Sequence, residues 1–128
     1  MTALNRVKEL QKQLVSLGMD VLYTDNLIDI YYITGIPLSL GKLFITPKKV
    51  TLVVDARYFE ACQKKAACEV VLLDQTGYAA FLKKLLRKQT FVFGFDGASL
   101  TFDHLETFKK LLKKHTKGQV KDKNFSAP

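Results

Sequence analysis

Residues 43–58, LFITPKKVTLVVDARY, contain a hairpin signal followed directly by a change from strand to helix. The apolar runs Leu43–Ile45 and Val50–Val54 have the length of strands, and Pro47-Lys48-Lys49 between them is typical of a turn. Asp55 ends the second run at the position where a side-chain oxygen can cap a helix. The segment therefore predicts an antiparallel pair of strands whose second strand leads into a helix.

Strands and helices alternate on both sides of this segment. Upstream, leucine spacing predicts a helix at about 4–17 that Gly18 ends, and a strand follows at 21–24. Downstream, the pattern predicts a helix at 56–67, a strand at 70–73, a helix capped by Thr76, a strand at 91–95, a helix between Thr101 and Gly118, and a short strand at 119–121. This alternation predicts an α/β fold with a mixed, mostly parallel sheet flanked by helices.

The composition is that of one globular domain of 128 residues, with 48% apolar and 25% charged residues. No apolar run is long enough to span a membrane, and the N-terminus lacks the apolar core of a signal peptide. We therefore expect a cytoplasmic protein. Cys62 and Cys68 are interpreted as reduced thiols, because their spacing fits neither a CxxC motif nor a zinc knuckle.

The net charge of +8 makes nucleic acid one hypothetical partner. Two predicted helices carry much of the basic charge, with Lys83, Lys84, Arg87 and Lys88 in one and Lys109, Lys110, Lys113, Lys114 and Lys117 in the other. These residues lie opposite the leucines of each helix, so a solvated helix face explains both clusters. The aromatic residues fall on core-facing positions, and nucleic acid is therefore the less favoured partner.

Sequence motifs for catalysis are missing. A zinc or manganese site needs three or more converging His, Asp, Glu or Cys ligands, whereas His104 and His115 stand eleven residues apart in the last helix. They are interpreted as a surface residue of the first turn and a partner of the helix dipole in the last turn. HExxH, Gly-x-Ser-x-Gly and glycine-rich phosphate loops are absent from the sequence. We expect neither a catalytic residue nor a metal ligand in this chain.

The segment Asp55-Ala56-Arg57-Tyr58 is the strongest candidate for binding. Arg57 puts a cation at the positive end of the helix dipole, where a positive charge is unfavourable. A residue placed against this preference indicates a partner for its charge. That partner is either a nearby carboxylate or an anionic ligand. Ligands of α/β sheets usually bind at strand ends, which is where this segment lies. Asp55 is interpreted as a helix cap, and Tyr58 as a partly buried residue whose hydroxyl is hydrogen-bonded.

Residues 27–41 are predicted to be irregular or short-helical, with Gly35, Pro37 and Gly41 as breaks. Within them, a second segment, Asp29-Ile30-Tyr31-Tyr32-Ile33-Thr34-Gly35, is typical of a packed irregular turn rather than a strand. Followed by the small-residue stretch Ser39–Gly41 and by Asp55–Tyr58, it resembles the amino-terminal domain of the creatinase, aminopeptidase P and prolidase family of Xaa-Pro metallopeptidases. The resemblance covers about residues 5–122. The chain departs from the family pattern at three positions, with Asp29 for the usual Asn, Tyr31 for the frequent Arg and Ala56 for the frequent Gly.

The resemblance implies a ribonuclease-H-like layer fold for residues 1–122. Residues 123–128 would begin the connection to a catalytic domain that is absent from this chain. That domain would hold two divalent metal ions, expected to be manganese, through two Asp, two Glu and one His. A metal-activated water would then hydrolyse the bond before proline. The family includes aminopeptidases, dipeptidases and creatinase-like amidinohydrolases, and the resemblance does not distinguish among these activities.

The resemblance also implies that the amino-terminal domain contributes to a homodimer and overhangs the substrate site. Arg57 and Tyr58 thereby become candidates for the rim of that site. On this hypothesis the chain alone is inactive. Its partners are its own catalytic domain, a second copy of the protein and a proline-containing peptide.

A binding module is the main alternative, because the same fold occurs as a metal-free, peptide-binding domain in the large subunit of the FACT histone chaperone. Histone tails are basic, and a domain of net charge +8 should repel them. The peptidase hypothesis is therefore favoured. A basic nucleic-acid-binding domain is the third hypothesis.

Overall fold

A computed structural model describes residues 3–66, 68–97, 100–116 and 118–124. Within these ranges the chain forms five helices and six strands. The helices are α1 (Ala3–Leu17), α2 (Leu27–Thr34), α3 (Ala56–Lys65), α4 (Gln75–Leu85) and α5 (Phe102–Lys114). The strands are β1 (Val21–Thr24), β2 (Lys42–Ile45), β3 (Val50–Val54), β4 (Glu69–Leu72), β5 (Thr90–Phe95) and β6 (Gln119–Asn124).

The strands form one mixed sheet in the order β4-β3-β2-β1-β5-β6. The pairs β1–β5, β3–β4 and β5–β6 are parallel, whereas β2 runs antiparallel to both of its neighbours, β1 and β3. In the turn of the β2–β3 hairpin, the Thr46 hydroxyl accepts hydrogen bonds from the backbone N–H groups of Lys48 and Lys49. The predicted mixed, mostly parallel sheet is confirmed, although β2 makes two antiparallel pairs rather than the one that the hairpin predicts.

Side chains of each strand alternate between two cores, one on each face of the sheet. Helices α4 and α5 cover an aromatic core, whose rings belong to Tyr23, Phe44, Tyr78, Phe91, Phe93, Phe95 and Phe108. Helices α1, α2 and α3 cover an aliphatic core, which includes Leu14, Leu22, Ile30, Ile33, Leu43, Ile45, Leu52 and Val54. The result is the helix–sheet–helix layering that the sequence predicts.

The structure places most of residues 29–35 in α2, which confirms the short-helical alternative predicted for residues 27–41 and contradicts the irregular turn. The Asn26 side chain caps this helix by accepting a hydrogen bond from the backbone N–H of Asp29, at 3.0 Å. Gly35 ends it in the left-handed conformation, with φ of 76°. The sequence did not favour the helix over an irregular turn, because Tyr31 and Tyr32 are exposed and no polar face marks a helical period.

Several predicted boundaries also differ from the structure. Asp74 caps α4 in place of Thr76, because its carboxylate accepts from the backbone N–H of Gly77. Helix α5 begins after its predicted cap, Thr101, but ends with His115 at the C-cap, before Gly118. Helix α3 ends at Lys65, and the predicted end at residue 67 lies outside the described residues. Strand β6 continues to Asn124 because it pairs with β5 along its whole length.

Among the described residues, no helix combines the length and the apolar character that crossing a membrane requires.

Phe108 holds α5 against the sheet, because its ring stacks on Tyr23 with centroids 3.8 Å apart and meets Phe93 edge-on at 5.1 Å. We expect Phe108→Ala to lower the free energy of unfolding by about 3–5 kcal/mol, as large cavities in a core do. The matched control is Phe102→Ala in the same helix, where the side chain is 73% exposed, and the loss there should be small. Urea denaturation of both variants measures the difference. Equal losses would contradict the described packing of α5.

Candidate functional site

The ends of several strands bring polar residues to one edge of the sheet. All strands except β2 run in the same direction, so Asp25, Asp55 and Asp96 follow β1, β3 and β5 at that edge. Because β2 is antiparallel, its first residue, Lys42, lies at the same edge. We call this border of the sheet the carboxyl edge.

The carboxyl edge also contains the topological switch point of the sheet, where the helices that follow two neighbouring strands pack on opposite faces. Strands β1 and β5 are neighbours, but α2 after β1 covers the aliphatic core and α5 after β5 covers the aromatic core. Crevices form at such points, and open α/β sheets usually bind their ligands there. The topology therefore directs attention to the side chains around the ends of β1 and β5.

Asp55 and Arg57 form an ion pair at the start of α3. The Asp55 carboxylate caps the helix by accepting from the backbone N–H of Arg57 at 3.0 Å. Its other oxygen accepts from Nη2 of the Arg57 guanidinium at 2.8 Å and from Nε at 3.2 Å. These hydrogen bonds from Arg57 lower the pKa of Asp55 below its ordinary value. Arg57 thus has an internal carboxylate as a partner, while its side chain stays 67% exposed to solvent.

Tyr58 links the segment Asp55–Tyr58 to the small-residue stretch Ser39–Gly41. Its hydroxyl and the Ser39 hydroxyl hydrogen-bond to each other at 2.7 Å, although they are nineteen residues apart. The Arg57 guanidinium lies 5.3 Å from the centre of the Tyr58 ring. The structure therefore brings both rim candidates, Arg57 and Tyr58, together with the small-residue stretch at the carboxyl edge.

A cleft of about 420 Å³ opens next to Ser39, between α5 and the starts of α2 and β2. Its walls are largely apolar and include Leu27, Leu40, Phe108 and Leu111. Its polar groups come from Tyr23, Asp25, Lys42 and His104. We call it the edge cleft.

Four polar side chains of the edge cleft are linked by two hydrogen bonds and one further close contact. Lys42 Nζ donates to the Tyr23 hydroxyl at 3.2 Å, and this hydroxyl lies within 3.4 Å of Asp25 Oδ2, to which it donates. His104 Nδ1 lies 3.5 Å from the same Asp25 oxygen. Burial lowers the pKa of Lys42, an effect that Asp25 partly opposes, and burial raises the pKa of Tyr23. Tyr23 consequently stays protonated as a donor, while Lys42 keeps ammonium donors that an oxyanion in the cleft could use.

The sequence did not reveal this chain of polar residues. His104 was interpreted as a surface residue, and its side chain is indeed 64% exposed, but it also faces Asp25. One local signal points to Lys42, because it is a charged residue at the start of an otherwise buried strand. His115 fits its predicted role, since its Nδ1 lies 3.0 Å from the backbone carbonyl of Leu111 in the last turn of α5.

The basic helix faces are solvated, with one correction. The exposed members are Lys83, Lys84, Arg87, Lys88, Lys110, Lys113 and Lys114, while Lys117 lies outside the described residues. Lys109 does not belong to this face, because its side chain is only 24% exposed and lies 3.4 Å from Asp122. Lys88 pairs with Asp20 at 2.7 Å. Part of the basic charge is therefore neutralised within the protein.

Neither metal ligands nor a disulfide were found in the part of the chain that the structure describes. Within it, no group of three or more His, Cys, Asp or Glu side chains could hold a metal ion. Cys62 is buried in the aliphatic core and Cys68 is half-buried, and both are free thiols. Burial raises the pKa of each thiol, so neither is activated as a nucleophile.

Comparison with protein families gives one match, to the Creatinase/Prolidase N-terminal domain, over residues 6–124. No curated protein matches the sequence.

Solved structures share the fold at low sequence identity. The creatinase/prolidase-like N-terminal domain of a Corynebacterium diphtheriae protein aligns with a TM-score of 0.78 and 20% identity, covering 98% of both chains. The N-terminal domain of the cytoplasmic peptidase PepQ from Mycobacterium tuberculosis aligns with a TM-score of 0.74 and 19% identity, covering 95% of both. Prolidase from Pyrococcus horikoshii aligns with a TM-score of 0.70 and 23% identity, covering 92% of this chain but 32% of the prolidase.

We expect Lys42→Met to raise the free energy of unfolding by roughly 1 kcal/mol at neutral pH, because a charged ammonium is no longer partly buried. The lowered pKa of Lys42 means that the folded protein releases this proton before the unfolded chain does. The gain should therefore shrink as the pH rises towards 10.5, the ordinary pKa of lysine.

Urea denaturation at neutral pH and near pH 10 measures both effects, with exposed Lys110→Met as the matched control. If Lys42→Met destabilises the protein, the hydrogen bond to Tyr23 contributes more than burial of the ammonium costs, and the interpretation of Lys42 is wrong.

Proposed function

The chain belongs to the creatinase/prolidase N-terminal domain family, and we propose that it is the non-catalytic N-terminal domain of a Xaa-Pro metallopeptidase of the aminopeptidase P or prolidase type. The observation that carries this proposal is that nearly the whole chain, residues 6–124, matches the family. The same fold accounts for about a third of a longer prolidase chain. In the proposal, hydrolysis before proline belongs to a separate catalytic domain and not to the residues of this one.

The carboxyl edge is the face that we assign to the catalytic domain and its substrate. Most of the exposed large apolar side chains belong to segments that start or end at this edge, namely Ile28, Tyr31, Tyr32, Leu40 and Phe102. Exposed apolar side chains that recur on one face are typical of an interface. Their position supports docking of a further domain, or of a second copy in a homodimer, against the carboxyl edge.

Arg57 and Tyr58 are the residues that we assign to the rim of the substrate site. The Arg57 guanidinium is held by Asp55 but remains largely exposed, so it can still donate to a peptide carbonyl or carboxylate. The Tyr58 hydroxyl is held by a hydrogen bond with Ser39, which lines the edge cleft. Such fixed donors lose little conformational freedom on binding, which suits them for holding a substrate.

We assign the two divalent metal ions, expected to be manganese, to the catalytic domain, because the described residues offer no set of three ligands. The ions would supply the water that attacks the bond before proline. The contribution of this chain would be to hold and orient the peptide. We also place the protein in the cytoplasm, in keeping with its similarity to the cytoplasmic peptidase PepQ.

A peptide-binding module without catalysis is the second candidate, and the apolar walls of the edge cleft favour it. Leu27, Leu40 and Leu111 could hold an apolar side chain of a peptide beside the donors of Lys42. The two candidates differ in whether the gene encodes a catalytic domain after this one.

Reading the gene beyond codon 128 tests the proposal. We expect the frame to continue for roughly 220 residues or more, as a second domain requires, and to contain the Asp, Asp, His, Glu and Glu ligand set. The 128-residue chain alone, supplied with Mn²⁺ and a Xaa-Pro dipeptide, should release no proline. A stop codon directly after Pro128 would overturn the peptidase proposal and favour the binding module. Hydrolysis by the chain alone would contradict its non-catalytic role.

A further inference from the structure

A second cavity, of about 330 Å³, lies between α1 and α2, on the side of β1 that faces the aliphatic core. Helix α1 contributes Arg6 and Glu9, helix α2 contributes Asp29 and Tyr32, and Asp96 also lines the cavity. Leu10, Leu22 and Ile33 give it an apolar surface. We call it the interhelix cavity, and the residues assigned to the substrate rim do not line it.

Arg6 brings a positive charge to the interhelix cavity. Its guanidinium carbon lies 4.1 Å from the centre of the Tyr32 ring. Its Nε is buried and has no hydrogen-bond acceptor among the described residues, so a ligand in the cavity would use the Nη donors of the same guanidinium. A carboxylate is the acceptor that matches a guanidinium best.

Asp29 brings to the same cavity a negative charge that has no counter-ion among the described residues. Within the part of the chain that the structure describes, its carboxylate enters none of the hydrogen bonds and ion pairs. Burial and the neighbouring charge of Asp96 raise the pKa of Asp29, so its ionised form is poorly stabilised by the protein itself. An ammonium group next to Asp29 would offset both the cost of burying its charge and the repulsion from Asp96. This crowding of carboxylates is a local exception in a chain of net charge +8.

We propose that the interhelix cavity binds a free α-amino acid with an apolar side chain. The α-ammonium group would pair with Asp29, the α-carboxylate would accept from Arg6, and the side chain would lie against Leu10, Leu22 and Ile33. A volume of about 330 Å³ is at the lower end for small-molecule sites, which fits a single amino acid. The proposal does not depend on the peptidase function, because it uses none of the rim residues.

L-leucine and two analogues that each lack one charge test the proposal on the 128-residue chain. Isopentylamine keeps the ammonium group and loses the carboxylate, whereas 4-methylpentanoate keeps the carboxylate and loses the ammonium group. In ¹H–¹⁵N correlation spectra, L-leucine should cause saturable shifts at the backbone amides of Arg6, Asp29 and Ile33. Each analogue should bind at least about tenfold more weakly than L-leucine, because one charge-assisted hydrogen bond is lost.

Two variants locate the charges that are responsible. Asp29→Asn keeps the shape of the side chain, and Arg6→Gln keeps a donor but removes the charge; each should weaken L-leucine binding about tenfold. Asp103→Asn and Arg87→Gln change the same charges at exposed positions and should leave binding unchanged.

The analogue series on the unchanged protein keeps the proposal falsifiable even if Arg6→Gln does not fold. No saturable shifts with L-leucine would overturn the proposal. Analogues that bind as tightly as L-leucine, or an unchanged affinity in a folded Asp29→Asn variant, would overturn it as well.

Discussion

Tyr23 joins the core of this protein to its candidate site. Its ring stacks on Phe108 and packs against Phe44, so it is fixed between the sheet and α5. Its hydroxyl leaves the core at the carboxyl edge, where it accepts from Lys42 and donates to Asp25. Because the ring is packed in the aromatic core, the Tyr23 hydroxyl is held in one position in the edge cleft at little entropic cost.

The carboxyl edge collects residues that lie far apart in the sequence. Parallel strands all end there, and the antiparallel strand β2 starts there, so Asp25, Lys42 and Asp55 lie along one border of the sheet. The topological switch point between β1 and β5 separates the helices on the two faces and leaves a cavity on each side of β1. The rim candidates Arg57 and Tyr58 and the edge cleft thus lie along the same border of the sheet.

The sequence predicts those parts of the fold that depend on local patterns. The hairpin around Pro47, the cap at Thr101 and the stop at Gly18 follow from turn and capping chemistry, and all three are present. Helix α2 was predicted only as one of two alternatives, because it has no polar face, and β6 was predicted too short because its length depends on pairing with β5.

In the candidate site too, contacts between residues close in sequence could be predicted, whereas contacts that depend on strand pairing could not. Arg57 was found from the sequence because a cation at a helix start breaks a local rule, and Asp55 lies close enough in sequence to be its partner. The contact between Lys42 and Tyr23 depends on β2 lying beside β1, which no local pattern specifies. That pairing order is a property of the whole sheet.

Steady-state kinetics of Arg57→Gln, in the longer protein that we propose carries this domain, tests the central claim most directly. If Arg57 holds substrate at the rim, KM for a Xaa-Pro peptide should rise about tenfold while kcat changes little, because binding to the ground state and to the transition state is lost equally. Arg87→Gln, at an exposed position just after α4, is the control and should leave KM unchanged. An unchanged KM in Arg57→Gln would mean that Arg57 serves only its ion pair with Asp55, and would contradict the proposed rim.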